Sequence, residues 1–89
     1  MIEKILNNYF TRKLLAEVKW CFIIRNLDYK FEDEKTHIYI KVKPEKYDDK
    51  FYSTIACIRK DDAFRYMCDL DNFMKQIRKI VEEYQKEEG

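Results

Sequence analysis

The chain of 89 residues has the length of one domain. Hydrophobic residues make up 46% of it and charged residues 39%, a balance that excludes a membrane-spanning protein and a disordered one. The net charge of +1 argues against an all-over basic protein and against an acidic nucleic-acid mimic. Its first residues carry no signal-peptide pattern, so we expect a cytoplasmic protein.

The first predicted element is a helix over residues 2 to about 18. Its apolar residues recur at helical spacing, and we expect this stripe to lie across a β-sheet. The stripe consists of Ile2, Ile5, Leu6, Tyr9, Phe10, Leu14 and Val18.

The central part of the chain predicts antiparallel strands. The clearest pattern lies in residues 36–43, where Ile38, Ile40 and Val42 alternate with more polar neighbours. Such alternation is typical of a strand with one buried face. The predicted strands span about residues 20–31, 36–43, 51–59 and 63–68.

The first two of these strands form a predicted hairpin. Residues 32–35 are polar and have the length of a hairpin loop. In the register that this loop sets, apolar residues pair with apolar ones and polar residues with polar ones. The predicted partners are Phe31 with Thr36, Tyr29 with Ile38, Leu27 with Ile40, Asp28 with Tyr39, and Asn26 with Lys41.

The other strands are apolar on more than one face. Trp20, Phe22 and Ile24 lie on the opposite face of the first strand from Leu27. Either a bulge resets the alternation, or both faces are covered at this end, or one is left open. The third strand also lacks a clearly polar side. The fourth strand follows a turn at residues 60–62, and its predicted partners on the third strand are Ile58 for Phe64 and Ala56 for Tyr66.

A second helix is predicted over residues 70 to about 86, with a stronger pattern than the first. Its apolar residues are Leu70, Phe73, Met74, Ile77, Ile80, Val81 and Tyr84. The sequence therefore predicts an α+β, two-layer fold with an N-terminal helix, a three- to four-stranded antiparallel sheet and a C-terminal helix.

No catalytic or metal-binding motif stands out. Cys21, Cys57 and Cys68 lie in apolar strand contexts, where we expect reduced core cysteines. The single histidine, His37, has no close cysteine pair to complete a zinc site and no neighbouring nucleophile to serve. We therefore expect no enzyme, no metal and no cofactor.

The predicted function is a small non-catalytic module that binds another protein, or its own copy as a dimer, through a sheet face. The sequence leaves open whether both helices cover one sheet face, so that the other is open, or cover one face each. An open face rich in aromatic residues is typical of a protein-binding surface. The candidate binding residues are Trp20, Phe22, Ile24, Tyr39, Lys41, Lys43 and Tyr52.

Size and composition suggest a more specific hypothesis. A short chain rich in Lys, Ile, Tyr and Asn is typical of an AT-rich coding sequence. Such a chain fits a phage or mobile-element product that inhibits a host protein, for example a CRISPR–Cas effector.

The alternative function is nucleic-acid binding by the sheet. An aromatic side chain can stack on a base while neighbouring lysines contact phosphates. Acidic residues at 48–49 and 61–62 would flank this patch and weaken it. The candidate residues are Tyr39, Lys41, Lys43, Arg59, Lys60 and Arg65.

Overall fold

The computed structural model describes residues 2–44 and 51–88. Three helices and three strands make up the described part of the chain, and the predicted α+β fold is confirmed. In chain order they are α1 (Ile2–Ile23), β1 (Leu27–Asp33), β2 (His37–Pro44), β3 (Ser53–Arg59), α2 (Ala63–Cys68) and α3 (Leu70–Glu88), with a 3-10 turn at Lys60–Asp62. No helix within these ranges is long and apolar enough to cross a membrane.

The sheet is antiparallel with strand order β1-β2-β3. The predicted partners in the β1–β2 hairpin are wrong by four residues. Leu27 pairs with Pro44 and Tyr29 with Val42, and the connection between the strands is residues 34–36. A shift by an even number of residues leaves every side chain on its predicted face, because side chains alternate with a period of two.

β3 carries one extra residue relative to β2. Ile40 pairs with Ala56 and Lys41 pairs with Thr54, so Ile55 stands between two paired residues without a partner of its own on β2. This bulge explains why the strand is apolar in both parities, since Ile55 packs against the core as Ala56 does.

The predicted strand start at residue 20 is wrong, because α1 continues to Ile23. The additional turn buries Cys21 and Phe22 against the sheet and α3. Asn26 then takes a φ of 57°, a left-handed conformation that asparagine adopts more readily than most residues, and this turn leads into β1.

The predicted fourth strand is also wrong, because residues 63–68 form α2. The aromatic residues of this segment find partners on helices rather than on β3. Phe64 lies 5.4 Å from Phe10 between ring centroids, and Tyr66 lies 5.0 Å from Phe73. The backbone N–H of Phe64 also donates to Asn7 Oδ1 at 3.3 Å, which ties α2 to α1.

One core joins the two long helices to the same face of the sheet. α1 contributes Val18 and Phe22, α3 contributes Ile77 and Val81, and all four are buried with the inward residues of the sheet. The inward sheet residues are Leu27, Ile40, Val42 and Ile58. Because α1 and α3 share one face, neither long helix of residues 2–44 and 51–88 covers the opposite face of the sheet, which we call the open face.

The cysteines differ in burial. Cys21 is buried, as predicted, but on α1 rather than on a strand, whereas Cys57 and Cys68 are exposed and the prediction of core positions for them is wrong. Cys57 pairs with Tyr39 on the open sheet face, and Cys68 ends α2.

Candidate functional site

The open face of the sheet is built from charged residues that pair across strands. Lys43 Nζ lies 2.9 Å from Asp28 Oδ2 on the neighbouring strand, and Lys41 forms an ion pair with Glu32. The hydrogen bond and charge of Lys41 lower the pKa of Glu32. These charged side chains of the open face therefore find oppositely charged partners within the sheet.

The aromatic residues of the open face are also engaged with neighbours. The ring of Tyr39 stacks on His37 at 6.4 Å between centroids, and Lys43 Nζ lies 5.7 Å from the centroid of the Tyr52 ring. Tyr39 and Tyr52 are each 37% exposed. Charged side chains therefore share this face with the aromatic ones.

The predicted protein-binding residues fall into two groups. Tyr39, Lys41, Lys43 and Tyr52 come together on the open sheet face. The other three belong to α1 and its C-terminal turn, so their predicted place on the sheet is wrong. These three are Phe22, fully buried, and Trp20 and Ile24, which are 59% and 72% exposed.

The cations proposed for nucleic-acid binding mostly contact carboxylates. Besides the two lysines of β2, Lys60 pairs with Asp33, and Arg65 Nη2 lies 3.0 Å from Asp62 Oδ2. Arg59 is exposed and stands opposite His37. A phosphate would have to displace these carboxylates, which disfavours the nucleic-acid hypothesis.

A second surface lies on the outer face of α1. We call it the outer stripe. Its members are large apolar side chains that the fold leaves 43–74% exposed. They are Ile2, Ile5, Leu6, Tyr9, Trp20, Ile23 and Ile24.

Helical geometry places the outer stripe opposite the core. At 3.6 residues per turn, Tyr9 and Trp20 lie roughly 180° around the helix axis from Val18, which is fully buried. The small exposed residue Ala16 lies midway between them on the same side. One apolar face of α1 therefore packs on the sheet, and a second points away from it.

Lysine side chains lie over both aromatic residues of the stripe. Lys13 Nζ is 5.5 Å from the centroid of the Tyr9 ring, and Lys19 Nζ is 5.9 Å from that of Trp20. Such contacts combine an apolar surface with a positive charge at its margin. The outer stripe is therefore an amphipathic surface with aromatic anchors near its two ends.

The outer stripe was missed because its first four members were assigned to the sheet. Ile2, Ile5, Leu6 and Tyr9 were predicted to face the sheet, but the sheet-facing side of α1 is lined by Leu14, Val18 and Phe22. Helical spacing was the available signal. A helix continued to residue 23 places Trp20 and Ile23 in line with Ile2 and Tyr9.

A groove of about 400 Å³ opens between β3, α2 and α3. Its floor is apolar, with Ile58 and Phe73, and its margin carries Cys57, Arg65 and Asp69. The single histidine does not line it, so the groove has no imidazole to act as a general base for the thiol. Among the described residues no cluster of His, Cys, Asp or Glu has the makings of a metal site.

No family model, curated protein or solved structure matches this chain. The described residues offer two candidate surfaces, the paired charges of the open sheet face and the outer stripe of α1.

Proposed function

We propose that this chain is a small non-catalytic protein-interaction module whose binding surface is the outer stripe of α1. The observation that carries the proposal is the exposure of seven large apolar side chains on one side of a single helix. A helix that is apolar on both sides is normally buried on both sides. We therefore expect a partner to cover the outer stripe.

The size of the stripe supports the proposal. Its side chains together expose on the order of 800 Å², the area that one partner contributes to an interface of standard size. The stripe consists of two apolar groups, at residues 2–9 and 20–24, with Arg12, Lys13, Ala16 and Glu17 between them. Clusters of large exposed apolar side chains often mark interaction sites. Trp20 and Tyr9 also belong to residue types that often dominate binding energy.

The open sheet face is a weaker candidate for the same role. Burying it would remove water from the Lys41–Glu32 ion pair and from Asp28, whose partner Lys43 is already buried. Desolvating paired charges offsets much of what a partner gains by contact. Inhibition of a host protein by a mobile-element product stays a prediction about the partner's identity.

The proposal is tested by chemical cross-linking of affinity-tagged protein with two matched variants. Ile5→Glu/Trp20→Glu places two charges on the outer stripe, and Tyr39→Glu/Thr54→Glu places two charges on the open sheet face. We expect the first variant to lose cross-linked protein, whether a second copy or another polypeptide, and the second to retain it.

Circular dichroism establishes that both variants remain folded. Loss of binding in the sheet variant alone would move the interface to the sheet. Absence of any cross-linked protein for the wild type at micromolar concentration would overturn the proposal.

A further inference from the structure

We infer that the partner of the outer stripe is a second copy of this chain, docked with its α1 antiparallel to the first about a two-fold axis. This inference rests on the proposed function and specifies its partner. It is carried by the order of residues in the stripe, by the charges beside it and by its area.

The outer stripe reads nearly the same in both directions along α1. In each direction two adjacent aliphatic residues are followed, three positions on, by an aromatic residue. From the N-terminal end the order is Ile5, Leu6 and Tyr9, and from the C-terminal end it is Ile24, Ile23 and Trp20. The centre of this symmetry lies between Leu14 and Leu15, close to the middle of the helix.

A two-fold interface requires a surface that complements itself, because residue i meets residue j and residue j meets residue i. In an antiparallel pair, the aliphatic residues near one end of α1 meet those near the other end of its copy. Tyr9 then meets Trp20 of the second copy at both ends of the contact. Ala16, near the centre, is small enough to let the two helices approach.

The charges beside the stripe complement each other in the same arrangement. Lys13 and Glu17 are both exposed and lie on the same flank of the outer stripe. In an antiparallel two-fold pair each flank meets the same flank of the copy. Lys13 of each copy therefore faces Glu17 of the other, twice in the interface.

A parallel pair would bring like charges together. In that arrangement each flank meets the opposite flank at the same height along the helix. Arg12 and Lys13 lie on opposite flanks at the centre of α1, so two positive pairs would meet there. The Lys13–Glu17 pairs favour the antiparallel arrangement, while Arg12 and Lys19 share the other flank and meet there as like charges.

The exposed area sets the upper limit of the interface. Two stripes expose on the order of 1,600 Å² in total, which at full burial equals the standard size of a specific protein–protein interface. The two aromatic residues lie on either side of the centre of the contact, and Lys13 and Glu17 lie between them.

The test is a charge exchange followed by light scattering across a concentration series. Lys13→Glu places negative residues at both positions 13 and 17, and Glu17→Lys places positive residues at both. We expect each variant alone to dimerise on the order of tenfold or more weakly than the wild type, because both attractive pairs become repulsive. An equimolar mixture of the two variants should recover the dimer as a heterodimer.

The double variant Lys13→Glu/Glu17→Lys should also regain the dimer, which separates pairing from any loss of helix. Recovery in the mixture excludes misfolding as the cause of weak association in the single variants. If the wild type dimerises but the single variants associate equally well, the antiparallel contact is wrong.

A monomeric wild type at high micromolar concentration would overturn the inference. The proposed function would survive that result if the outer stripe still captured another protein in the cross-linking experiment. A monomer that co-sediments with vesicles of anionic phospholipid, and loses this on Trp20→Glu, would likewise overturn it and assign the stripe to a membrane surface.

Discussion

The two long helices of this fold use their surfaces differently. α3 buries one side, including Ile77 and Val81, and its opposite side is charged. α1 buries one side through Val18 and Phe22, but its opposite side is the apolar outer stripe. The charged residues on the outer side of α3 are Lys75, Arg78, Lys79, Glu82 and Glu83.

This difference separates the apolar residues that stabilise the fold from the apolar residues that the fold does not require. A two-layer domain offers each helix one sheet to pack on, so one apolar face per helix is enough. α3 meets that requirement and nothing more. The second apolar face of α1 contributes nothing to the core, and its presence is evidence for an interface.

The largest expected effect is on the buried side of α1. Phe22→Ala should lower the free energy of unfolding by about 3–5 kcal/mol, because Phe22 is fully buried among core residues. Trp20→Ala, two positions away on the outer stripe, should change it by no more than about 0.5 kcal/mol. Urea unfolding at low protein concentration, where self-association does not contribute, measures both values.

A large loss of stability for Trp20→Ala under dilute conditions would contradict this comparison. It would mean that the outer stripe packs within the monomer. In that case its exposure would not mark an interface.

A second pair of substitutions applies the same comparison to α3. Ile77→Ala should cost about 2–4 kcal/mol, since its side chain is 4% exposed in the core. Lys79→Ala on the outer side should change stability by less than about 0.5 kcal/mol. Unlike Trp20→Ala, it should also leave association unchanged in light scattering, because this side of α3 has no apolar surface to bury.

The sequence predicts well where its pattern has one interpretation. β2 alternates clearly, and α3 has a single apolar side, so both were predicted within a few residues of their observed bounds. The hairpin register was wrong by four residues because alternation cannot distinguish registers that differ by an even number of residues. Each side chain nevertheless lies on its predicted face, so polar residues still pair with polar residues on the open face.

The errors fall where local propensity and tertiary packing compete. Residues 20–24 are aromatic and β-branched, which favours a strand, but continuing the helix buries Phe22 in the core. Residues 63–68 alternate like a strand, but Phe64 and Tyr66 find aromatic partners on α1 and α3. Both choices depend on residues distant in the chain, which a local pattern does not contain.

The same competition between local propensity and tertiary packing affected the prediction of the candidate site. Trp20 and Ile24 were predicted as binding residues because they are large and apolar, and the structure leaves both exposed. Their location was wrong because they were placed on a strand. Only a helix that reaches residue 23 aligns Trp20 with Tyr9 and Ile2 on one surface.

The smallest expected effect is a pH dependence of stability from the buried side of α1. Burial raises the pKa of the Cys21 thiol, and the nearby charge of Arg25, whose Nη1 lies 3.2 Å from the sulfur, opposes this only in part. As the pH rises above the ordinary cysteine value of about 8.5, the unfolded chain releases this proton before the folded protein does. The folded protein then binds more protons than the unfolded chain, so stability falls with rising pH.

Replacing the buried thiol should therefore reduce the slope of this fall. Cys21→Ala should flatten the loss of unfolding free energy between about pH 8 and about pH 10, measured by urea titration at each pH. Cys68→Ala is the matched control, since this exposed thiol lies outside the core and should leave the slope as in the wild type. Equal slopes in all three proteins would mean that folding does not raise the pKa of Cys21. Water would then reach the core-facing side of α1, which is the side opposite the outer stripe.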